Sequence, residues 1–447
     1  MPWSTRLRAL RVDTTPLRSS RDFRRLFWGG TIFWFGSMFS YVALPFHLYD
    51  LTGSNFAVGA LGLVELLPLI VFGLYGGALA DHLDRRVLLL ATSLAQVVLV
   101  AVLTWNAFLD EPRLWLIYLI GALLAVASAM QRPAREALLQ QTVRHDQLPA
   151  ATALNALGRE VAMLAGPALA GVLIGQIGAA WAFAVDGAAL GVAVLILWGL
   201  SPRARGETGD AASLRGIVEG LRYAASRRDL MGTYLVDIIA MVMAMPVVLW
   251  PALATDVLQQ PEWLGALYTA EAVGALLATA TSGWTARVHH HGRAVVLAAM
   301  AWGAAIALAG LMPSMIWVLL CLVIAGSMDM LSGVFRSIIW NQTIPDRLRG
   351  RLAGIEMLSY SLGPMAGQAR AGLVADAWSV RGAITSGGVA CVGMVALATV
   401  WLREFWTYDA RTDVHAVTER ERRARLAAQQ QGAQEQGRQP RGTADAG

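Results

Sequence analysis

The 447-residue chain is 56% hydrophobic and only 15% charged, with a mean hydropathy of +0.50; soluble domains carry about 25% charged residues, so an ordinary soluble enzyme is excluded. All 36 basic residues are arginine, and a chain without lysine has no Walker A phosphate loop, no pyridoxal Schiff base and no retinal linkage. The net charge of +5 suits an anionic lipid leaflet rather than nucleic acid.

A membrane helix needs about 20 mainly apolar residues. In chain order, twelve stretches qualify: 26–49, 57–80, 87–109, 114–137, 149–176, 180–200, 230–253, 262–287, 293–312, 314–340, 350–375 and 382–403. The first follows an arginine-rich run ending at Arg24 and Arg25. It is too long for a signal-peptide core and has no small-residue cleavage site, so it is read as a retained helix. Arg85, Arg86, Arg132, Arg135, Arg144, Arg203, Arg205, Arg287, Arg293, Arg347, Arg349 and Arg351 fall on the side of the N-terminus, and the opposite loops offer only Arg113 and Arg381. The positive-inside rule then predicts both termini in the cytoplasm of a plasma (inner) membrane protein.

The predicted organisation is a basic N-terminus (1–25), a six-helix bundle (26–200), a charged linker (201–229), a second six-helix bundle (230–403) and a cytoplasmic tail (404–447). Around Arg411 to Arg425 the tail alternates Arg and Glu like an exposed helix, and beyond it turns Gln/Gly-rich, a composition that reads as disordered. Such a tail is too short and polar for the folded domain of a membrane receptor.

The two bundles are related. At an offset of 206, Pro45, Asp50, Gly59, Glu65 and Gly77 meet Pro251, Asp256, Gly265, Glu271 and Gly283; at 201, Arg135, Gln141, Thr142, Gly166 and Gly171 meet Arg336, Gln342, Thr343, Gly367 and Gly372. Glycine-rich helices align by composition alone, but matched Pro, Asp, Glu and Arg do not. A parallel six-plus-six duplication is a transporter signature.

Gly77-Ala-Leu-Ala-Asp81-His82-Leu-Asp84-Arg85-Arg86, between spans two and three, resembles the signature loop of the major facilitator superfamily. His82 stands where that loop commonly has a basic residue, and Asp84 where it has glycine, a position that aspartate can fill in a left-handed turn. Gly166-Pro167-Ala-Leu-Ala170-Gly171 resembles the antiporter motif of the exporter branches. Pro45 to Leu51, Gly62 to Pro68, Trp250 to Asp256 and Leu348 to Leu352 look like the branch of enterobactin exporters and some tetracycline-type efflux proteins. The resemblance covers residues 20–403. It implies an all-α membrane protein with twelve helices in two pseudo-symmetric bundles, exporting a siderophore or drug-like molecule by proton antiport. It also implies that Asp81 latches the halves together at the cytoplasmic gate, where the acid can meet the N-terminus of span eleven or pair with Arg135.

Charges inside a bilayer cost roughly 2.5–3.5 kcal/mol on insertion scales and usually face inward. Glu65, Arg159, Glu160, Asp237, Glu271 and Asp329 are therefore the substrate or proton-coupling candidates. Asp329 shares a small, polar stripe of span ten with Gly326, Ser332, Gly333 and Arg336. A carboxylate on a stripe of that kind can be charged when facing water and neutral when facing apolar surroundings; the alternative is a structural ion pair with an arginine. Arg159 is positioned to neutralise an anionic substrate or to hold Glu65 or Asp329 ionised. Glu65 and Glu271 are pseudo-equivalent, each a relay or a helix-to-helix hydrogen bond.

Asp237 lies below Met241, Met243 and Met245, and methionine adapts to varied ligands as readily as to plain packing. Trp34, Phe35, Met38 and Phe39 make one broad face, suited to stacking on a planar ligand or to meeting lipid. Asp186 and Glu356 lie near the interfaces, where solvation is the default, and Arg370 can snorkel outward. Gly166-Pro167 and Gly363-Pro364 suit close approach and bending of spans five and eleven, and with Gly77, Asp81, Arg85, Arg86 and Arg135 they form the expected conformational gate.

His289, His290 and His291 point in different directions on a helix and have no carboxylate or thiol at ligand spacing, so a solvated loop is expected there and no metal site. Cys321 and Cys391 are read as small buried hydrophobes. No cofactor is expected, and the predicted partners are a small molecule, protons and the bilayer around a monomer. An intramembrane enzyme lacks paired acids or a metal motif at helical spacing; import or uniport through the same fold is the rival reading.

Overall fold

A computed structural model describes residues 13–201, 222–423 and 425, apart from the side chains of 74–82, 286 and 346–358. The described residues form twelve long helices and no strand: α1 Arg21–Thr52, α2 Asn55–His82, α3 Arg85–Ala107, α4 Leu114–Thr142, α5 Leu148–Ile177, α6 Ala179–Trp198, α7 Arg228–Ala244, α8 Leu264–Thr281, α9 His291–Leu311, α10 Met315–Thr343, α11 Asp346–Ala377 and α12 Val380–Trp401. Among the described residues, ten helical segments are long and apolar enough to cross a membrane. The 32-residue α1 and α11 complete the twelve; each opens on a charged turn. Large apolar side chains such as Leu195, Leu397, Val400 and Trp401 stand exposed, as lipid-facing positions require.

Helix ends follow from local chemistry. Ser20 caps α1 by accepting from the amide of Phe23, and Gly53, at φ 62°, closes it in the left-handed conformation. Asp84 has extended backbone (φ −63°, ψ 117°) and accepts from the amides of Arg86 and Val87, so it is the N-cap of α3. That corrects the expected left-handed turn: the side-chain cap does there what a glycine's freedom would otherwise do. The seventh span is not one helix. Pro246 has no N–H to give and drives Met245 into extended backbone (ψ 108°), so α7 stops at Ala244 and the span continues as a 3₁₀ turn, a short helical piece and a π turn to Val257.

The halves, α1–α6 and α7–α12, meet along two seams, α2 against α11 and α5 against α8. Glycines allow this: a Cβ on Gly265 would lie 2.6 Å from the carbonyl oxygen of Pro167, and one on Gly59 would lie 2.6 Å from that of Gln368. In lipid, close backbone approach of this kind replaces the hydrophobic effect as the packing force. The hydrogen bonds and close glycine contacts described here between the halves fall toward the end of the molecule opposite the arginine-rich loops, joining residues 49–62 to 256 and 365–376, and 167–175 to 262–265. Among the residues with described side chains, the halves therefore meet at the arginine-poor end.

Beyond α12 the chain turns back under the second half. Phe405, fully buried, fills a notch between Gly232 of α7 and Gly292 of α9. The amide of Ala410 donates to the carbonyl of His289 (3.0 Å), and His290 pairs with Asp409 (3.7 Å). His291 is 4% exposed, stacked on Phe335 at 5.8 Å, with Nε2 2.9 Å from the carbonyl oxygen of Val288. The histidine run is thus a docking point for the tail, not the solvated loop expected; the returning chain removes the solvent that the spacing had assumed.

Candidate functional site

A polar cluster lies inside the second half. Asp237 of α7 and Arg336 of α10 form an ion pair, each side chain 3% exposed. Ser359 of α11 donates to Asp237 at 2.9 Å, and the Arg336 guanidinium sits 5.6 Å from the centroid of the Tyr360 ring. Nε of Arg336 is buried without a hydrogen-bond acceptor. Asp329, two turns back on the same face of α10, lies within electrostatic reach of both Arg336 and Asp237. A small pocket between them is lined by Asp237, Met241, Trp302, Asp329 and Ser332, with Ala240 and Ala299 closing its sides. Arginine thus pairs with Asp237, and Asp329 opens onto the pocket.

Glu271 reaches the same region from α8. Gly326 of α10 lies directly against the Glu271 backbone, and Gly274 of α8 against Val323 of α10, so the two helices touch main chain to main chain. This places Glu271 in electrostatic contact with Asp329. Oε1 of Glu271 and the hydroxyl of Tyr268, one turn before it, are both buried without a hydrogen-bond partner. The Tyr268 ring meets Tyr41 of α1 edge-on, centroids 5.5 Å apart. The sequence reading missed both tyrosines; the shared face of Tyr268 with Glu271, three residues on, was the available signal for that one, and Tyr41, on another helix, had none.

The first half is arranged differently. Glu65 of α2 lies against Gly121 of α4, where a Cβ would be 3.1 Å from its Oε1. Arg135, the repeat counterpart of Arg336, packs on Gly30 and lies 5.5 Å from the centroid of the Phe33 ring. Arg159 and Glu160 are exposed and approach one another at 3.9 Å, so Arg159 is not brought to Glu65 or Asp329. Asp186, expected to be solvated, is 2% exposed and accepts from Ser40 of α1. Gly36 and Ser40 make a notch in α1 into which its carboxylate fits, leaving Oδ1 without a hydrogen-bond partner.

The aromatic face of span one divides. Phe35 and Phe39 pair at 5.5 Å, whereas Trp34 packs with Phe33, Val100 and Leu190. Gly166 packs on Met38, and Gly363 and Gly367 receive Met241 and Met245, so the glycines of both Gly-Pro pairs set the distance between neighbouring helices. Arg370 points inward, its guanidinium against Gly387 of α12. Arg86 donates to the carbonyl of Trp198 at 2.8 Å, and Arg85 precedes it at the start of α3. Gly77, the Asp81 latch and Glu356 lie outside the residues whose side chains are described.

The profile of the family described as transmembrane secretion effector matches residues 13–431. Enterobactin exporter EntS of Shigella boydii serotype 18 is 28% identical over 368 residues, 81% of this chain and 88% of its own, and EntS of Escherichia coli O157:H7 shows the same figures. Among solved structures, a bacterial homologue of the human lysosomal transporter Spinster, inward-facing and occupied, superposes with a TM-score of 0.69 at 14% identity, covering 90% of this chain and 99% of that one. The nucleoside transporter NupG gives 0.66 at 12% identity, covering 86% and 98%.

Proposed function

Because this chain belongs to the transmembrane secretion effector family, within the major facilitator superfamily, we propose that it is a secondary transporter exporting a small organic molecule across the inner membrane by alternating access. The observation that carries this reading is the position of Glu271. It lies where the halves converge, beside a tyrosine pair contributed by both of them, with a buried oxygen that has no partner and a second acid, Asp329, facing it across the α8–α10 contact. A substrate or a proton arriving there changes the charge of a site that both halves share, which is how binding can bias their relative position.

The energy source in this reading is the proton gradient, supported by the absence of any phosphate-loop lysine and by carboxylates at a depth where neutral and charged forms exchange with surroundings. The arginine-rich loops support a cytoplasmic position for that end and for both termini, and in this reading the cross-half contacts described above close the far side. Substrate enters from the cytoplasm or inner leaflet. The EntS relatives support a siderophore-class cargo, and the tyrosine and phenylalanine rings suit a planar aromatic group.

Everted vesicles test this with a catecholate siderophore and a tetracycline-class drug as probes. An inside-acid gradient is expected to drive uptake of a cargo, and Glu271→Gln to abolish the gradient's effect while leaving protein level unchanged. Uptake indifferent to a collapsed gradient would remove proton coupling; a deletion strain that releases both cargoes as fast as its parent would remove their export.

A further inference from the structure

α2 begins at the arginine-poor end with Ser54-Asn55-Phe56, and the first amides of any helix have no acceptor within it. Ser54 supplies part of the usual local cap, its Oγ accepting from the amide of Ala57 at 3.1 Å. The acceptor for the other two amides comes from the opposite half of the molecule. Oδ1 of Asp376, in the last turn of α11, accepts from the Asn55 amide at 2.8 Å and from Asn55 Nδ2 at 3.0 Å; Oδ2 accepts from the Phe56 amide at 3.0 Å and from the Ser54 hydroxyl at 2.6 Å. One carboxylate thus receives four hydrogen bonds from three residues more than 300 positions away.

Asp376 is badly placed for its own helix. An acid in the last turn faces the negative end of the helix dipole, whereas the same acid at the start of another helix faces the positive end. Its benefit therefore exists only while α2 is within reach, that is, while the two halves are closed at this end. Opening leaves two α2 amides to water and returns Asp376 to an unfavourable field.

The device is one-sided. At the 201-residue repeat offset, Gly175 of α5 matches Asp376, and the α5–α8 seam is built from Gly171 and Gly265 backbones. Among the described residues, a further cross-half hydrogen bond at this end runs from the Tyr49 hydroxyl to Asp256.

We propose that Asp376 is a positioning residue for the transport cycle, a detachable N-cap that holds the arginine-poor gate shut and sets how often it opens. This rests on the alternating-access reading, but its test does not need a substrate. Loss of a charged cap shifts a two-state ratio by about five- to thirtyfold.

The measurement is a spin-label distance distribution between Glu111→Cys and Ser314→Cys, on exposed loops of the two halves, in the full chain with Cys321 and Cys391 replaced by alanine and reconstituted in lipid. Asp376→Ala is expected to raise the ratio of long- to short-distance populations about five- to thirtyfold, and Asp376→Glu to restore most of the short one, a rescue that general loss of fold would not give. Adding Ser54→Ala and Asn55→Ala to Asp376→Ala is expected to leave that ratio unchanged, because their bonds across the halves are already gone and the Ser54–Ala57 bond, within α2, is lost equally from the open and closed states. An unchanged distribution in Asp376→Ala, or full additivity with the Ser54 and Asn55 changes, overturns the latch. Should Asp376→Ala not fold, Asp376→Asn, which keeps one acceptor and loses the charge, is expected to give a smaller shift the same way, and its failure to shift overturns the proposal equally. Distances that respond while transport does not follow a gradient would count against proton coupling and leave the latch standing.

Discussion

Replacing Asp237 with alanine removes the acid against which Arg336 is folded. Both side chains are 3% exposed, and removing one member of a buried pair costs about 3–5 kcal/mol, because the survivor keeps its charge without water or partner. Two features of the site adjust that figure. Ser359 loses its acceptor as well, which adds to the cost, and Asp329 remains within electrostatic reach of Arg336, which reduces it. Asp237→Ala is therefore expected near the lower end of the range and Asp237→Ala with Asp329→Ala near the upper. Asp237→Leu with Arg336→Met fills the same space without charge and should recover most of the stability, since well-packed apolar replacements of buried pairs are often neutral or better. The assay is the fraction of monodisperse protein after graded heating in detergent, read beside export in cells. If Asp237→Ala melts with the wild type, or the Leu/Met variant melts no higher than Asp237→Ala, the pair is not buried as described. Full export by the Leu/Met variant would show that the cluster serves stability alone.

Gly265→Val places a branched side chain where a Cβ already meets carbonyl oxygens of Pro167 and Ala168 at 2.6 and 2.8 Å. The α5–α8 seam should part at a cost of about 1–3 kcal/mol, and the Glu111–Ser314 label distance should lengthen; no change would mean the seam has slack. Asp409 accepts from the Arg411 amide at 2.9 Å, which, with neighbouring His290 and Arg411, holds its carboxyl below the usual range. A depressed carboxylate stabilises above its unfolded value of about 3.9 and loses that as pH falls through the lower folded value. Protease cleavage within residues 404–423 should then rise below about pH 4, and Asp409→Asn should remove that rise. A rise below about pH 4 that Asp409→Asn leaves in place would contradict it.

Hydropathy gave the spans to within a few residues because each crosses the same apolar thickness, and the paired offsets gave the two halves because Pro45/Pro251 and Arg135/Arg336 sit in equivalent places. The break after Ala244 was visible as Met245-Pro246 inside an apolar run, but continuous hydropathy hides a change of backbone hand-off. Glu271 and Asp329 stood out as charges in apolar sequence. What joins them did not, because it depends on Gly326 and Gly274 letting α8 and α10 touch. The burial of Asp186 is decided by Gly36 and Ser40 on another helix, and Asp376 finds its partners in the opposite half; neither relation has a signature along the chain.

The notch filled by Phe405 has a practical consequence for where the folded unit ends. Cutting the chain after the last span, at residue 403, would empty the space between Gly232 and Gly292 and uncover the ring of His291. Deleting a buried phenylalanine ring typically costs about 3–5 kcal/mol, so a shortened protein of that kind should express poorly. A tag or reporter is better joined beyond residue 425, where it leaves that wedge in place.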